Sequence, residues 1–185
     1  DKDTIDTERY TEFFIAALSE PNCNITLNIG KYEIRGQDYT FTFYCLSQEE
    51  WDSRNLKSAT QINAVSPIGI LEYAGRRLVF TGDSNESNEK YYCETYPYVD
   101  CDVLKVAHHG SDGSKDSFLQ HVTCEYAVIS VGDGNSYGHP EQETLDRLKA
   151  TGIQKIHRTD KCGNVVLTVS HTGEMAFSCE KQCAA

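Results

Sequence analysis

The chain has no run of eighteen apolar residues, the length that a membrane-spanning helix needs, so no segment reads as a transmembrane helix. It has no leading methionine and no signal-like apolar stretch after Asp1, so the natural N-terminus, and any targeting signal with it, is expected to lie outside these residues. Basic residues are also short. Seventeen Lys and Arg stand against 28 Asp and Glu, a formal net charge of −11, and no basic cluster stands out beyond Arg76-Arg77. A protein that coats nucleic acid displaces counterions with a basic surface, so that role is disfavoured and no strong nucleic-acid-binding surface is expected. An enzyme that reaches phosphates through metal ions stays open. No C-x-x-C pair occurs among Cys23, Cys45, Cys93, Cys101, Cys124, Cys162, Cys179 and Cys183, which removes the main support for a zinc ribbon. Eight cysteines fit two readings, disulfides in an extracytoplasmic protein or buried thiols acting as small hydrophobes. Polar, turn-like contexts such as "DKCGN" and "EKQC" lean toward an exported, extracytoplasmic protein.

What is present describes a globular chain: 185 residues, 39% of them hydrophobic, with no internal repeat and no low-complexity linker, read as a single domain over 1–185. Residues 6–20 carry Tyr10, Phe13, Phe14, Ala17 and Leu18 at helical spacing, with Asp6 as N-cap, Pro21 as terminator and an apolar face for the core. "NITLN", "YEIRG" and "YTFTFYCL" read as strands, and the polar 47–63 stretch reads as a loop or an ordered flap. "SPIGILEYAGRRLVFTGD" predicts a hairpin turning at Ala74-Gly75. Beyond it, strands at "CDVLKVA", "YAVISV", "IQKIHRT", "NVVLTVS" and "EMAFS" are interspersed with helices near "NESNEKYYCETY", "KDSFLQHV" and "PEQETLDRLKAT", the last with Pro140 in its first turn and Gly152 as C-cap. This order predicts a layered α/β fold with a mixed sheet and flanking helices.

Three of these strands stop abruptly at residues able to bind a metal: Asp83 in "FTGDS", His108 and His109 in "AHHGS", and His139 in "SYGHP". Loops after strand ends gather function in layered sheets, and carboxylate with imidazole suits zinc, manganese or iron. The other histidines have ordinary settings. His121 lies beside Phe118 and Leu119 on a helix, His157 in a strand and His171 in a turn, all read as packing or surface residues. Asp133 and Asp160 read as turn residues, and Asp102 as a local cap or pairing partner.

In order and separation, "LEYAGRRLVFTGD", "DVLKVAHHGS", "YAVISVGDGNSYGHP" with "ETLDRLKATGI", and "HRTDKCGNVVLTV" resemble the second half of the metallo-β-lactamase fold. The similarity is greatest to the hydrolase domain of competence-type DNA-uptake proteins and to phosphorylcholine esterases, and covers roughly residues 63–170. The resemblance implies the C-terminal part of an αββα sandwich and a metal-dependent, phosphodiester-cleaving hydrolase, with divalent metal, zinc first, at two sites in the intact parent. It makes Asp83 a bridging carboxylate, and His109, or alternatively His108, an imidazole ligand with the neighbouring histidine behind it. His139 becomes a further ligand or a contact to substrate phosphate, so that Asp83 and His139 carry the chemistry. Gly82 and Gly110 would let backbone approach the ions, and Ser111, Asn135 and Tyr137 would line the pocket. Asp160 has a family counterpart near the site.

The sequence departs from that family in one respect. No two of its six histidines have the spacing of the H-x-H-x-D-H motif that supplies most ligands from the first half. Either that half precedes these residues or the natural protein has lost it. Too few ligands then remain to hold two metals, so the isolated chain is expected to bind metal weakly and to be inactive. The alternative is a non-catalytic, degenerate hydrolase module kept for binding or assembly. The absent half would also leave one sheet face uncovered, to be filled by the missing N-terminal half or by self-association. Static light scattering is therefore expected to show a mass that rises with concentration, and a strict monomer at high concentration contradicts self-association.

Overall fold

A computed structural model describes residues 8–26, 28–54 and 56–183. In chain order its elements are α1 (Glu8–Ser19), β1 (Lys31–Arg35), β2 (Tyr39–Tyr44), α2 (Gln48–Ser53), α3 (Ala59–Asn63), β3 (Ile68–Tyr73) and β4 (Arg76–Phe80). They continue as α4 (Glu86–Thr95), β5 (Val99–Lys105), a 3-10 turn at Ala107–Gly110, α5 (Asp116–His121), β6 (Val122–Ile129), α6 (Gln142–Ala150), β7 (Lys155–Arg158), α7 (Thr159–Cys162), β8 (Val165–Val169) and β9 (Met175–Cys179). Strands β1 to β7 form one seven-stranded sheet in sequence order, and β8 and β9 form a separate hairpin.

Two pairing modes meet in the large sheet. From β1 to β4 the neighbours are antiparallel. Ala74 (φ 49°) and Gly75 (φ 77°) make the β3–β4 turn with both central residues left-handed, as a two-residue hairpin requires. From β4 to β7 the neighbours are parallel, and parallel strands need crossovers, here through α4, α5 and α6. Right-handed crossovers advancing in one direction put their helices on one face. The packing agrees: Tyr92 of α4, Phe118 and Leu119 of α5 and Leu148 of α6 are buried in one cluster with Val79, Leu104, Ala127 and Ile129 of the sheet.

The opposite face carries the β8–β9 hairpin. Phe177 lies against Tyr126 with ring centroids 5.1 Å apart, and Arg76 Nε donates to the Gly173 carbonyl of the hairpin turn at 2.6 Å. Between hairpin and sheet runs an apolar groove lined by Leu78, Phe80, Val103 and Val128 on one side and Leu167 and Phe177 on the other. Toward β1 the same face stays open: Tyr32, Ile34 and Tyr39 are 40%, 42% and 44% exposed. An uncovered apolar sheet face is thus present among the described residues.

Several expectations are corrected. Residues of "NITLN" that are described, 24–26 and 28, form no strand. The expected N-cap Asp6 lies outside the described residues. Helix α1 is present but does not reach the core, since none of its residues is buried and Phe13 and Leu18 are 68% and 64% exposed. Its apolar periodicity records a face without recording what the face meets. Of the two readings of the polar 47–63 stretch, the ordered one holds for its described residues, which include α2 and α3, because Ser47 and Ser58 each cap a helix by accepting from a backbone N–H, those of Glu50 and Gln61. Pro140 precedes the N-cap of α6, Glu141, and does not occupy its first turn.

Leu104 is wholly buried at the sheet–helix junction. Leu104→Ala is expected to lower the unfolding free energy by about 3 kcal/mol, whereas Val166→Ala, at a position 52% exposed on β8, should change it by less than about 0.5 kcal/mol. Urea denaturation of both variants reads the difference.

Candidate metal centre at the strand tips

Because β4 to β7 run parallel, their carboxyl ends share one edge, and the segments that follow them supply Asp83, the twin histidines and His139. Thr81 anchors the first segment by donating its hydroxyl to the Lys105 carbonyl at 2.7 Å. Gly82 then offers its carbonyl to the His108 N–H at 3.2 Å and to Lys105 Nζ at 3.0 Å. Burial pushes the Lys105 ammonium down from its ordinary pKa, with the Asp83 carboxylate acting in the opposite sense.

The twin histidines sit in a strained turn. His108 (φ 46°) and His109 (φ 58°) are consecutive left-handed residues without the freedom of glycine, a conformation that costs energy and gathers at functional sites. Two side chains hold it. Ser114 Oγ accepts from the Ala107 N–H at 3.2 Å. Glu89, on α4, accepts from the backbone N–H of Ser114 at 2.5 Å and of Lys115 at 3.0 Å. At Gly110 (φ +82°) a Cβ would lie 2.5 Å from Pro140 Cβ, so the missing side chain admits the next strand-tip loop.

The start of that loop is held by Thr159 of α7, whose hydroxyl accepts from the Val131 N–H and donates to the Val131 carbonyl, both at 2.7 Å. Asn135 folds it by accepting from the Tyr137 and His139 N–H groups and donating to the His139 carbonyl at 2.7 Å. Asn135 therefore shapes the turn. Ser111 Oγ points to Glu141 Oε1 at 3.5 Å, and Tyr137, 81% exposed, stacks on His139 with centroids 5.8 Å apart.

The four expected ligands approach one another unevenly. His109 Nδ1 lies 2.6 Å from the Ser130 carbonyl. A carbonyl only accepts, so Nδ1 carries the proton, and a neutral ring turns the lone pair of Nε2 outward. That Nε2 is 3.5 Å from Asp83 Oδ1, so two acceptors face each other across a gap that a proton or a cation would fill. His108 Nε2 is held by the Asn63 side-chain amide at 3.2 Å, while its Nδ1 is buried without a partner. His139 Nδ1 is buried and unpartnered too, with its ring 6.1 Å from that of His108. Two orphaned imidazole nitrogens beside a carboxylate–imidazole pair are a donor set that suits a divalent cation. The set is loose, however. Among the described residues, the group of His, Cys and carboxylate atoms lying within 4.8 Å of one another is elsewhere, at His157, Cys162, Cys179 and Cys183.

Asp160 is tied to Arg158 by two hydrogen bonds, at 3.0 and 2.7 Å. Burial alone would raise its carboxyl, but the Arg158 guanidinium outweighs that and holds it below its ordinary value. Asp102 pairs with Arg76 at 2.7 Å and the Arg77 N–H at 2.8 Å, and His121 reaches the Tyr96 carbonyl at 2.9 Å, so both serve the fold. The residues that sequence reasoning passed over are Asn63, Glu89 and Thr159. Their partners are distant in sequence, and the one local signal was Glu89 inside an otherwise polar helix.

No family model matches the chain. It is 38% identical over 124 residues to ComE operon protein 3 of Bacillus subtilis (strain 168), an alignment covering 66% of this chain and 15% of that protein. It is 30% identical over 159 residues to Competence protein ComA of Neisseria gonorrhoeae, covering 80% of this chain and 23% of that protein. These similarities support a relationship to competence proteins, and the chain spans less than a quarter of the length of either relative.

Glu89 gives the turn a pH dependence. Burial raises its carboxyl from 4.5 to about 7, against the lowering effect of the Lys115 and Ser114 N–H groups. A raised folded pKa means that its contribution to stability is complete below about 4.5 and is lost as pH rises through about 7. Glu89→Gln should flatten that part of the stability–pH curve, measured by urea denaturation from pH 4 to 8, with an overall cost of about 1–2 kcal/mol from the disturbed backbone bonds.

Proposed function

We propose that this chain is the C-terminal part of a metal-dependent hydrolase of the metallo-β-lactamase superfold, cleaving phosphodiesters in a protein with a role related to DNA uptake. The observation that carries the reading is the His109–Asp83 pair: with Nδ1–H committed to Ser130, a lone pair and a carboxylate face each other at 3.5 Å. Asp83, His109, His108 through Nδ1 and His139 would hold divalent metal, zinc first. When bound, such an ion polarises a phosphoryl oxygen and lowers the pKa of water. The chain's own residues orient and restrain. Ser130 fixes the His109 tautomer, Asn63 turns His108, and Tyr137 shields one face of His139. Similarity to a competence protein supports the DNA-related setting, and two cysteine pairs at disulfide distance, Cys101–Cys124 and Cys162–Cys183, support an extracytoplasmic location. The open face of Tyr32, Ile34 and Tyr39 is read as the packing surface for the remainder of the parent protein.

A second reading, a non-catalytic module for binding or assembly, draws on the looseness of the donor set. The two readings separate experimentally. Under the first, this chain loaded with zinc and desalted retains metal by mass spectrometry, and Asp83→Ala and His109→Ala each lose it. In the longest natural gene product, Asp83→Ala lowers phosphodiester cleavage by more than about 100-fold. Unchanged cleavage in that variant overturns the hydrolase mechanism, and absence of cleavage in the unaltered full-length protein favours the second reading.

A further inference from the structure

Four side chains outside the strand tips converge on one point, and the proposed hydrolysis does not use them. They are His157 of β7, Cys162 at the end of α7, Cys179 at the end of β9 and Cys183 beyond it, with ligand atoms all within 4.8 Å of one another. The backbone brings the last two into place. Glu180 N–H donates to the Asn164 carbonyl at 3.0 Å and Lys181 N–H to the Cys162 carbonyl at 2.9 Å, folding the segment after β9 back onto α7. The His157 ring is held flat against Phe177, with centroids 4.4 Å apart and planes 18° apart. Its Nδ1 is 3.6 Å from Cys179 Sγ, which is 3.3 Å from Cys183 Sγ.

A disulfide, Cys162–Cys183 as it stands here, accounts for two of these four groups. It leaves unexplained why a third sulfur and an imidazole lie against it. Three sulfurs and one imidazole are the donor set of a tetrahedral zinc site, in which neighbouring donor atoms stand about 3.8 Å apart at zinc–sulfur bonds of about 2.3 Å. The 3.3 and 3.6 Å separations are close to that. We propose that His157, Cys162, Cys179 and Cys183 form a Cys3His site for a zinc-class ion in the thiol state of the chain, with the Cys162–Cys183 disulfide as its metal-free, oxidised form.

The two forms interconvert by balanced steps. A dithiol reductant transfers two electrons and two protons to the Cys162–Cys183 bond, giving two thiols and a reductant disulfide. Metal binding then releases the thiol protons to solvent as the three sulfurs coordinate as thiolates. The ion would cross-link β7, α7 and the β8–β9 hairpin, joining the hairpin to the main sheet.

The test is cobalt(II) titration of the full chain after reduction with a dithiol and removal of the reductant. A thiolate-to-cobalt charge-transfer band that saturates at one cobalt per chain and is bleached by zinc is the expected result. The band should be absent from the oxidised chain and from Cys179→Ser, and should persist in Asp83→Ala, which separates this site from the one at the strand tips. A reduced chain without a thiolate band, or a Cys179→Ser chain that retains it in full, overturns the proposal. A second measurement needs no variant: in the reduced wild-type chain, zinc should slow alkylation of Cys162, Cys179 and Cys183 by about tenfold or more relative to exposed Cys23, read by peptide mass spectrometry. Equal rates with and without zinc also overturn it.

Discussion

The parallel pairing of β4 with β5, β5 with β6 and β6 with β7 is the constraint on which the rest of the structure depends. Parallel neighbours force each connection to cross the sheet, and a consistent hand of crossing sends α4, α5 and α6 to one face. That face becomes the core, with Leu104, Phe118 and Leu148 fully buried. The same pairing aligns the carboxyl ends of four strands. Residues more than fifty positions apart, Asp83 and His139, therefore belong to one edge, while the other face is left to the β8–β9 hairpin and to whatever covers Tyr32, Ile34 and Tyr39.

Strand-tip loops lack ladder partners, so their backbone groups need other acceptors and donors. Side chains supply them here. Glu89 takes the N–H groups of Ser114 and Lys115, Thr159 takes that of Val131, and Asn135 takes those of Tyr137 and His139. This scaffold holds His108 and His109 in left-handed backbone that neither residue favours. It also fixes ring orientation, since the Ser130 carbonyl selects the tautomer of His109. The arrangement places a carboxyl in the interior, where burial raises its pKa, so the geometry of the tips is coupled to the protonation of a group that does not reach them.

Two donor sets of different chemistry sit on this frame. The strand tips offer oxygen and nitrogen, from Asp83, His108, His109 and His139. The turn between β7, α7 and the end of β9 offers sulfur and nitrogen, from Cys162, Cys179, Cys183 and His157. The first is loose and half-exposed, with its donors on loops. The second is compact, because a hairpin and a folded-back terminal segment close around a buried histidine. Donor softness and geometry, rather than proximity in sequence, distinguish what each set would accept.

The sequence alone determined the elements whose signals are local. Apolar, β-branched and aromatic runs marked the strands "YTFTFY", "RRLVF" and "VVLTV", the Ala74-Gly75 turn marked the hairpin between β3 and β4, and abrupt ends of apolar runs marked Asp83, His108, His109 and His139 as strand-tip residues. Tertiary structure decided everything that depends on partners. It left the apolar stripe of α1 exposed, ordered the polar 47–63 stretch so that Asn63 reaches His108, and assigned Asn135 to its own loop. It also brought His157 to three cysteines spread over twenty-one positions from Cys162 to Cys183. Periodicity and capping are written in neighbouring residues, whereas a hydrogen bond or a ligand set across the sheet depends on the crossing of strands, which no stretch of sequence contains.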